Sequence, residues 1–297
     1  MFFLFLCPPL NASDYKDFRP SISEIRHVVF LVSAEYKQDI DRALRKAGRN
    51  ACQLMKALEA TSPEEREGMS FLIAHMPGRD LVRLKAEFLI KNVHLAYKAW
   101  GMAPWGKQIP KDIFFNEILP YASLNERRDS WREDFYQRFM NVAQEKGSIR
   151  EAVKKLNKYV FDVLKVSYNP VKRPKPDQSP YESLQAHYAS CTGLSILLVD
   201  ALRAVGIPAR ITGIAMWADE SGNHTWVEVW DGNWHYIGAA EPGDLDHAWF
   251  TQKAACTDKC HPIYAVSFKK TSRRFPMRWA PGLKFVSAED VTARYSH

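Results

Sequence analysis

The chain has 297 residues, 46% of them hydrophobic and 25% charged, and 41 Lys and Arg against 34 Asp and Glu give a formal net charge of +7. That balance belongs to a globular protein able to bury one large core or two smaller ones, and it excludes a low-complexity or collagen-like chain. The basic residues are scattered apart from Lys172-Arg173-Pro174-Lys175, which sits among prolines and reads as a solvated linker. No nucleic-acid motif accompanies it, so no nucleic-acid partner is expected.

Residues 1–13 are apolar but too short to span a bilayer. They read as the apolar region of a signal peptide without its basic flank, so export to a periplasm or cell surface is expected, with no stable membrane span. Residues 34–164 read as helices. Ile40, Leu44, Ala47, Ala51, Leu54 and Leu58 step by four and three along one face. Ser62-Pro63-Glu64-Glu65 has the form of a capping box with proline at the first helical position. Residues 80–100 form the next helical run. Asn125 opens another, carrying Trp131, Phe135 and Phe139, and Ser148-Ile149-Arg150-Glu151 is a second capping box. Residues 166–180 hold four prolines and read as a joint. The expected organisation is an apolar segment 1–20, a helical region 21–165, a proline-rich linker 166–180 and a further domain 181–297.

That last part carries the chemistry. Leu194, Leu197, Leu198, Ala201, Leu202 and Val205 recur at helical spacing, with Cys191 at the first turn on the same face. Gly206 ends this helix and Pro208 forbids its continuation. Residues 211–217 read as a strand. The alternating run that follows puts His224, Trp226, Glu228 and Trp230 on one face. Asp231-Gly232 marks a hairpin, and residues 234–237 form the return strand. A helix near 247–255 and strands near 263–268 and 284–287 complete the chain. A thiol at a helix start followed by a histidine at a strand start is how a nucleophile and its base are brought together. An oxyanion hole here needs the Cys191 backbone N–H and a side-chain donor, for which Gln185 and Gln178 stand upstream.

Cys191 at its helix start, Gly206-Ile207-Pro208-Ala209-Arg210, the run from His224 to Val229 and Trp234 together resemble the transglutaminase-like family, within the papain-like cysteine enzyme superfamily. The resemblance covers residues 178–250. It implies an α+β fold in which an antiparallel sheet packs on the cysteine-bearing helix. It also implies acyl transfer or hydrolysis at an amide of a protein or peptide substrate, by Cys191 and His224, without a cofactor or a metal. The family places an aspartate four residues after the return-strand tryptophan to orient the histidine. Here that position is Gly238, and Glu241 is the acid expected to replace it, ahead of Asp244, Asp246 and Asp231.

Rival readings accompany each of these residues. Cys191 could be a buried structural thiol, and His235 and His247 are rival bases. The missing aspartate admits a catalytically degenerate binding module that keeps the fold. Cys256 and Cys260-His261 are too sparse for a zinc site and read as a local disulfide or two unpaired thiols. A glycan on the sequon Asn223-His224-Thr225 would block the base, which points to a bacterial source.

Overall fold

The structure, a computed structural model, describes residues 20–145, 147–257 and 260–296. The apolar segment 1–13 lies outside the described residues. Two compact units divide between Val93 and His94.

The first unit is helical. It contains α1 (Ile22–Leu31), α2 (Lys37–Ala47), α3 (Ala51–Ala60), α4 (Arg66–His75) and α5 (Gly78–Leu81). Helix α6 (Ala86–Met102) begins there. Val28, Ile40, Leu44, Leu54, Leu58, Met69 and Leu72 form its buried face. The single period expected across 40–58 is broken between α2 and α3, where Gly48 takes a positive φ of 57°. The capping box expected at Ser62 does not form. Residues 62–65 make a turn, with the Glu65 N–H donating to the Ser62 carbonyl at 3.1 Å, and α4 starts at Arg66.

The second unit is α+β, as expected. It holds α7 (Lys111–Glu117), α8 (Trp131–Gln144), α9 (Ile149–Leu164), α10 (Pro180–Ala186), α11 (Cys191–Ala204) and α12 (Thr251–Ala255). Its main sheet has the order β5 (Trp234–Ile237), β4 (His224–Trp230), β3 (Ala209–Ile214), β6 (Ile263–Ser267), β8 (Ser287–Asp290), β7 (Arg273–Arg274), and every pairing is antiparallel. A separate parallel pair joins β1 (Ser167–Tyr168) to β2 (Tyr188–Ala189). Helix α11 is the centre. It packs on α8, α9 and α10 and against β3 and β4. Thirteen of its fourteen residues are buried, all but Cys191. The helix cannot shed this apolar face to water, so the sheet and the flanking helices close around it.

The proline-rich stretch 166–180 lies inside this second unit, not between the compact units. Asn169 Oδ1 accepts from the Val171 and Lys172 N–H groups. Asp177 to Pro180 are buried, and Ser179 and Glu182 form a reciprocal cap that starts α10. Within the basic run, Lys172 and Pro174 are exposed and Arg173 and Lys175 half-buried, and the buried anchor follows at Asp177.

The motif residues Arg210 and Glu228, both buried, form a cluster with the half-buried Trp234. Arg210 on β3 stands opposite Glu228 on β4 and donates to it at 2.8 Å. The Arg210 guanidinium lies 3.6 Å from the centre of the Trp234 ring. Glu228 also accepts from the Tyr295 hydroxyl at 2.8 Å and from Arg294 at 3.1 Å. A buried carboxylate is tolerated only when paired and hydrogen-bonded in this way. The cluster pins the sheet that carries His224.

Gly206 shows how α11 is ended. Its φ is +76°, and a Cβ there would stand 2.8 Å from the Ala99 carbonyl oxygen. Gly206→Ala combines backbone strain with a backbone clash and should cost about 2–4 kcal/mol. Urea unfolding checks this; a loss under about 0.5 kcal/mol would show that the tight exit from α11 is not required.

Candidate active site

Ser190 is the N-cap of α11. Its Oγ accepts from the Gly193 N–H and donates to the Pro176 carbonyl at 2.8 Å. Cys191 therefore sits in the first turn, where unpaired backbone N–H groups favour negative charge. The Thr225 backbone and Thr192 favour negative charge on the thiol. Thr192 Oγ1 lies 3.1 Å from Thr225 Oγ1, and Ser195 Oγ donates to the Thr225 carbonyl at 3.2 Å. The helix start and the strand start are thus stitched together at Thr225, the residue after His224. This brings Cys191 and the His224 segment into one site.

His224 is buried among rings. Trp249 lies 4.9 Å away between centroids, Phe250 5.0 Å, Trp226 5.8 Å and Trp217 6.2 Å. Burial in this apolar cage lowers its pKa from 6.5 to about 4. Its Nε2 is buried without a hydrogen-bond partner. A helix start and a nearby histidine ordinarily lower a cysteine thiol. Here burial pushes the Cys191 thiol up, outweighing the influence of Thr225 and Thr192 and the attraction of Arg173. Desolvation penalises an ion more than a helix end rewards it. At neutral pH the site therefore rests as a thiol beside a neutral imidazole.

Glu241 comes to the site by an unexpected route. Asn157 on α9 donates to the Gly238 and Glu241 carbonyls, both at 2.9 Å, and accepts from the Ala240 N–H at 3.0 Å. Ala240 has a left-handed φ of +63°. The turn throws the Glu241 side chain back over Gly238, and any Cβ at 238 would collide with its carboxylate. A side chain at 238 would therefore require the Glu241 carboxylate to move aside. The carboxylate does not bond His224. It accepts from Trp249 Nε1 at 3.1 Å, and burial raises its pKa.

The rival acids and bases are engaged elsewhere. Asp244 pairs with Lys154 at 2.7 Å. His235 bonds Asp246 at 2.6 Å and Asp231 at 2.9 Å. His247 is exposed. Gln178 is fully buried, and its amide donates to the Tyr188 carbonyl at 3.0 Å and the Glu182 carbonyl at 3.4 Å. Its donors are spent on the loop before Cys191. Gln185 is exposed on α10. Neither is presented to the thiol as an oxyanion donor. Cys256 and Cys260 are free thiols, and no group of three metal-ligating side chains occurs among the described residues. Nor is any described helix long and apolar enough to cross a membrane.

Sequence reasoning missed the cage of Trp217, Trp249 and Phe250, and it missed Arg173 and Tyr168, both within electrostatic reach of Cys191. The aromatic pair Trp249-Phe250 was the available signal for the cage.

Residues 136–239 match the model of the transglutaminase-like superfamily. The matched segment, about a third of the chain, is similar to that superfamily. It runs from α8 to just past β5, so it contains Cys191, His224 and Gly238 and stops short of Glu241. Among solved structures, a protein from Cytophaga hutchinsonii described as a candidate cysteine protease is similar at 16% identity and a TM-score of 0.35. The similarity covers 62% of this chain and 64% of that one, so the chain spans less than two thirds of that protein's length. No curated protein matches the chain.

The cage around His224 has a consequence for stability. The unfolded chain binds a proton on this histidine below about pH 6.5, whereas the folded chain resists it until about pH 4. Stability therefore falls as pH drops between those values, by about 3 kcal/mol in full. His224→Gln cannot take up that proton. The wild-type lead over the variant at pH 7 should shrink by about 2 kcal/mol or more at pH 4.5 in denaturant titrations. An unchanged difference would mean that the imidazole is not held neutral.

Proposed function

We propose that the protein is a thiol-dependent acyltransferase or hydrolase acting on an amide of a protein or peptide. Cys191 is the nucleophile and His224 its acid–base partner. The observation that carries this reading is the stitching of the α11 start to the β4 start at Thr225. Because both groups rest neutral, the thiol proton passes to His224 as sulfur attacks the carbonyl carbon. The Cys191 backbone N–H faces the developing oxyanion. The imidazolium then protonates the departing amine, the C–N bond breaks, and a thioester remains. An amine or water resolves it, which separates transferase from hydrolase.

Glu241 acts through Trp249 in this reading. The carboxylate holds the indole N–H, and the indole in turn closes one side of the His224 cage. A specific observation favours a second reading, a binding module without turnover: His224 Nε2 has no acceptor to fix its tautomer.

Turnover of a glutamine-containing peptide, followed by mass with and without a primary amine, tests both readings. Cys191→Ala should abolish product, and His224→Asn should reduce it by about 10²–10⁴. The binding-module reading predicts no turnover by wild type and unchanged peptide binding by Cys191→Ala.

The role of Glu241 is separable. Glu241→Ala and Trp249→Phe should fall together, by about tenfold, because each removes the same hydrogen bond of roughly 1–3 kcal/mol. Glu241→Gln retains an acceptor oxygen for the indole and should fall less. Equal losses in the Gln and Ala variants, without any loss in Trp249→Phe, would make Glu241 a direct orienter of His224.

A further inference from the structure

Residues 269–284 carry Lys269, Lys270, Arg273, Arg274, Arg278 and Lys284 and no carboxylate, so one short segment holds six of the chain's net seven positive charges. All six residues are exposed. The segment runs through β7 into the loop before β8, and it is firmly fastened. The Phe275 N–H donates to the Val286 carbonyl at 3.0 Å, Arg274 Nε to the Lys284 carbonyl at 3.0 Å and Thr271 Oγ1 to the Ala288 carbonyl at 2.7 Å. Phe275 and Met277 are buried. The cations therefore stand on a built hairpin.

Among the described residues, Lys269, Arg273, Arg274, Arg278 and Lys284 enter no ion pair. The next acids along the chain, Glu289 and Asp290 on β8, are engaged elsewhere. Glu289 accepts from Arg210 at 3.0 Å, and Asp290 accepts from the Thr292 N–H and hydroxyl at 3.1 and 2.6 Å. Like charges at this density repel one another, so the hairpin gains no stability from them. Charge on an edge strand guards against edge-to-edge pairing, and β7 is an edge of the sheet. That accounts for Arg273 and Arg274; the other four cations lie off the strand.

The hairpin also borders the candidate active site. The position that a Cβ on Gly213 would take is 3.1 Å from the Phe275 ring, 2.8 Å from the His224 carbonyl oxygen and 3.4 Å from Thr225 Oγ1. Phe275 therefore packs beside the joint that brings Cys191 and His224 together, and Arg274 directly precedes it. The side chains also indicate the class of partner. Phe275 is buried and Trp279 and Phe285 are half-buried, so the hairpin offers bases no exposed ring to stack on. Among its described residues Leu283 is the large apolar side chain that is exposed, too little to seat in a lipid interface. Guanidinium forks match carboxylates, and the neighbouring site is read as acting on a polypeptide.

We propose that the β7–β8 hairpin is a docking surface for an acidic stretch of the polypeptide substrate, outside the residues that react at Cys191. This rests on the reading of Cys191 as nucleophile. The substrate class is a protein with a run of Asp or Glu near its reactive amide.

Anisotropy of a fluorescein-labelled oligo-Glu peptide and its oligo-Gln counterpart tests the surface. Wild type should bind oligo-Glu in preference to oligo-Gln, and the affinity should weaken as salt rises through about 0.1 M. The triple variant Arg273→Gln, Arg278→Gln, Lys284→Gln should lose about tenfold, the effect of three exposed charge pairs together. The triple variant Lys46→Gln, Lys56→Gln, Lys85→Gln removes the same charge from exposed lysines of the first unit. It should stay within about twofold, because salt screens charges that do not touch the ligand. Equal losses in the two variants would reduce the effect to net charge and overturn the surface. Tighter hairpin-dependent binding of oligo-dT or of phosphatidylglycerol vesicles than of oligo-Glu would overturn it too. Turnover then links the surface to the site. A glutamine-containing peptide with an oligo-Glu tail, at one end or the other, should be used about tenfold better at low concentration than its oligo-Gln counterpart. That advantage should vanish in the hairpin variant. Turnover by wild type without a tail preference would overturn the docking surface alone. Hairpin binding without turnover of any peptide would instead overturn the reading of Cys191, and the substrate assignment with it.

Discussion

The structure depends on one joint, where the first turn of α11 meets the start of β4 at Thr225. Two hydroxyls from the helix, Thr192 and Ser195, bond this single residue, and its backbone favours negative charge on the Cys191 thiol. The helix is otherwise almost wholly buried, so it cannot slide without exposing apolar surface on every side. Fixing one end of it fixes Cys191. Fixing the strand's first residues fixes His224. The rest of the second unit supports that joint: the Arg210–Glu228–Trp234 cluster holds the sheet, and the turn after β1 covers the entry to the helix.

The electrostatics follow from burial. The same packing that positions the pair removes water from both groups, which raises the thiol and lowers the imidazole. In the proposed reaction the pair would exchange a proton during attack instead of resting as an ion pair. The thiolate needs substrate to become favourable.

Much of the site was legible in the sequence because the physics there is local. The three-and-four spacing from Leu194 to Val205, with Gly206 and Pro208 behind it, leaves few alternatives to a buried helix opening at Cys191. Alternation from His224 to Trp230 similarly dictates a strand, and Asp231-Gly232 a hairpin. What escaped were decisions made by distant partners. Helix α8 starts at Trp131, not Asn125, because Glu126 folds back to accept from the Ser123 and Leu124 N–H groups at 2.6 and 2.7 Å. The Ser179–Glu182 cap was present in the sequence but masked by the prolines around it. Glu241 was expected to replace the missing aspartate at 238 as the orienter of His224, and its carboxylate bonds Trp249 instead. Its partner could not be read, because the direction of its side chain is set by Asn157, more than eighty residues upstream.

The central claim is that Cys191, assisted by His224, accepts an acyl group. Acylation by p-nitrophenyl acetate in a single turnover, with the product mapped by intact mass and peptide digestion, tests it most directly. The account predicts one acetyl group on Cys191 in wild type, none at that position in Cys191→Ala, and slower acylation in His224→Asn. Acetylation that persists undiminished in Cys191→Ala, or that proceeds on Cys191 at the same rate without His224, would contradict it.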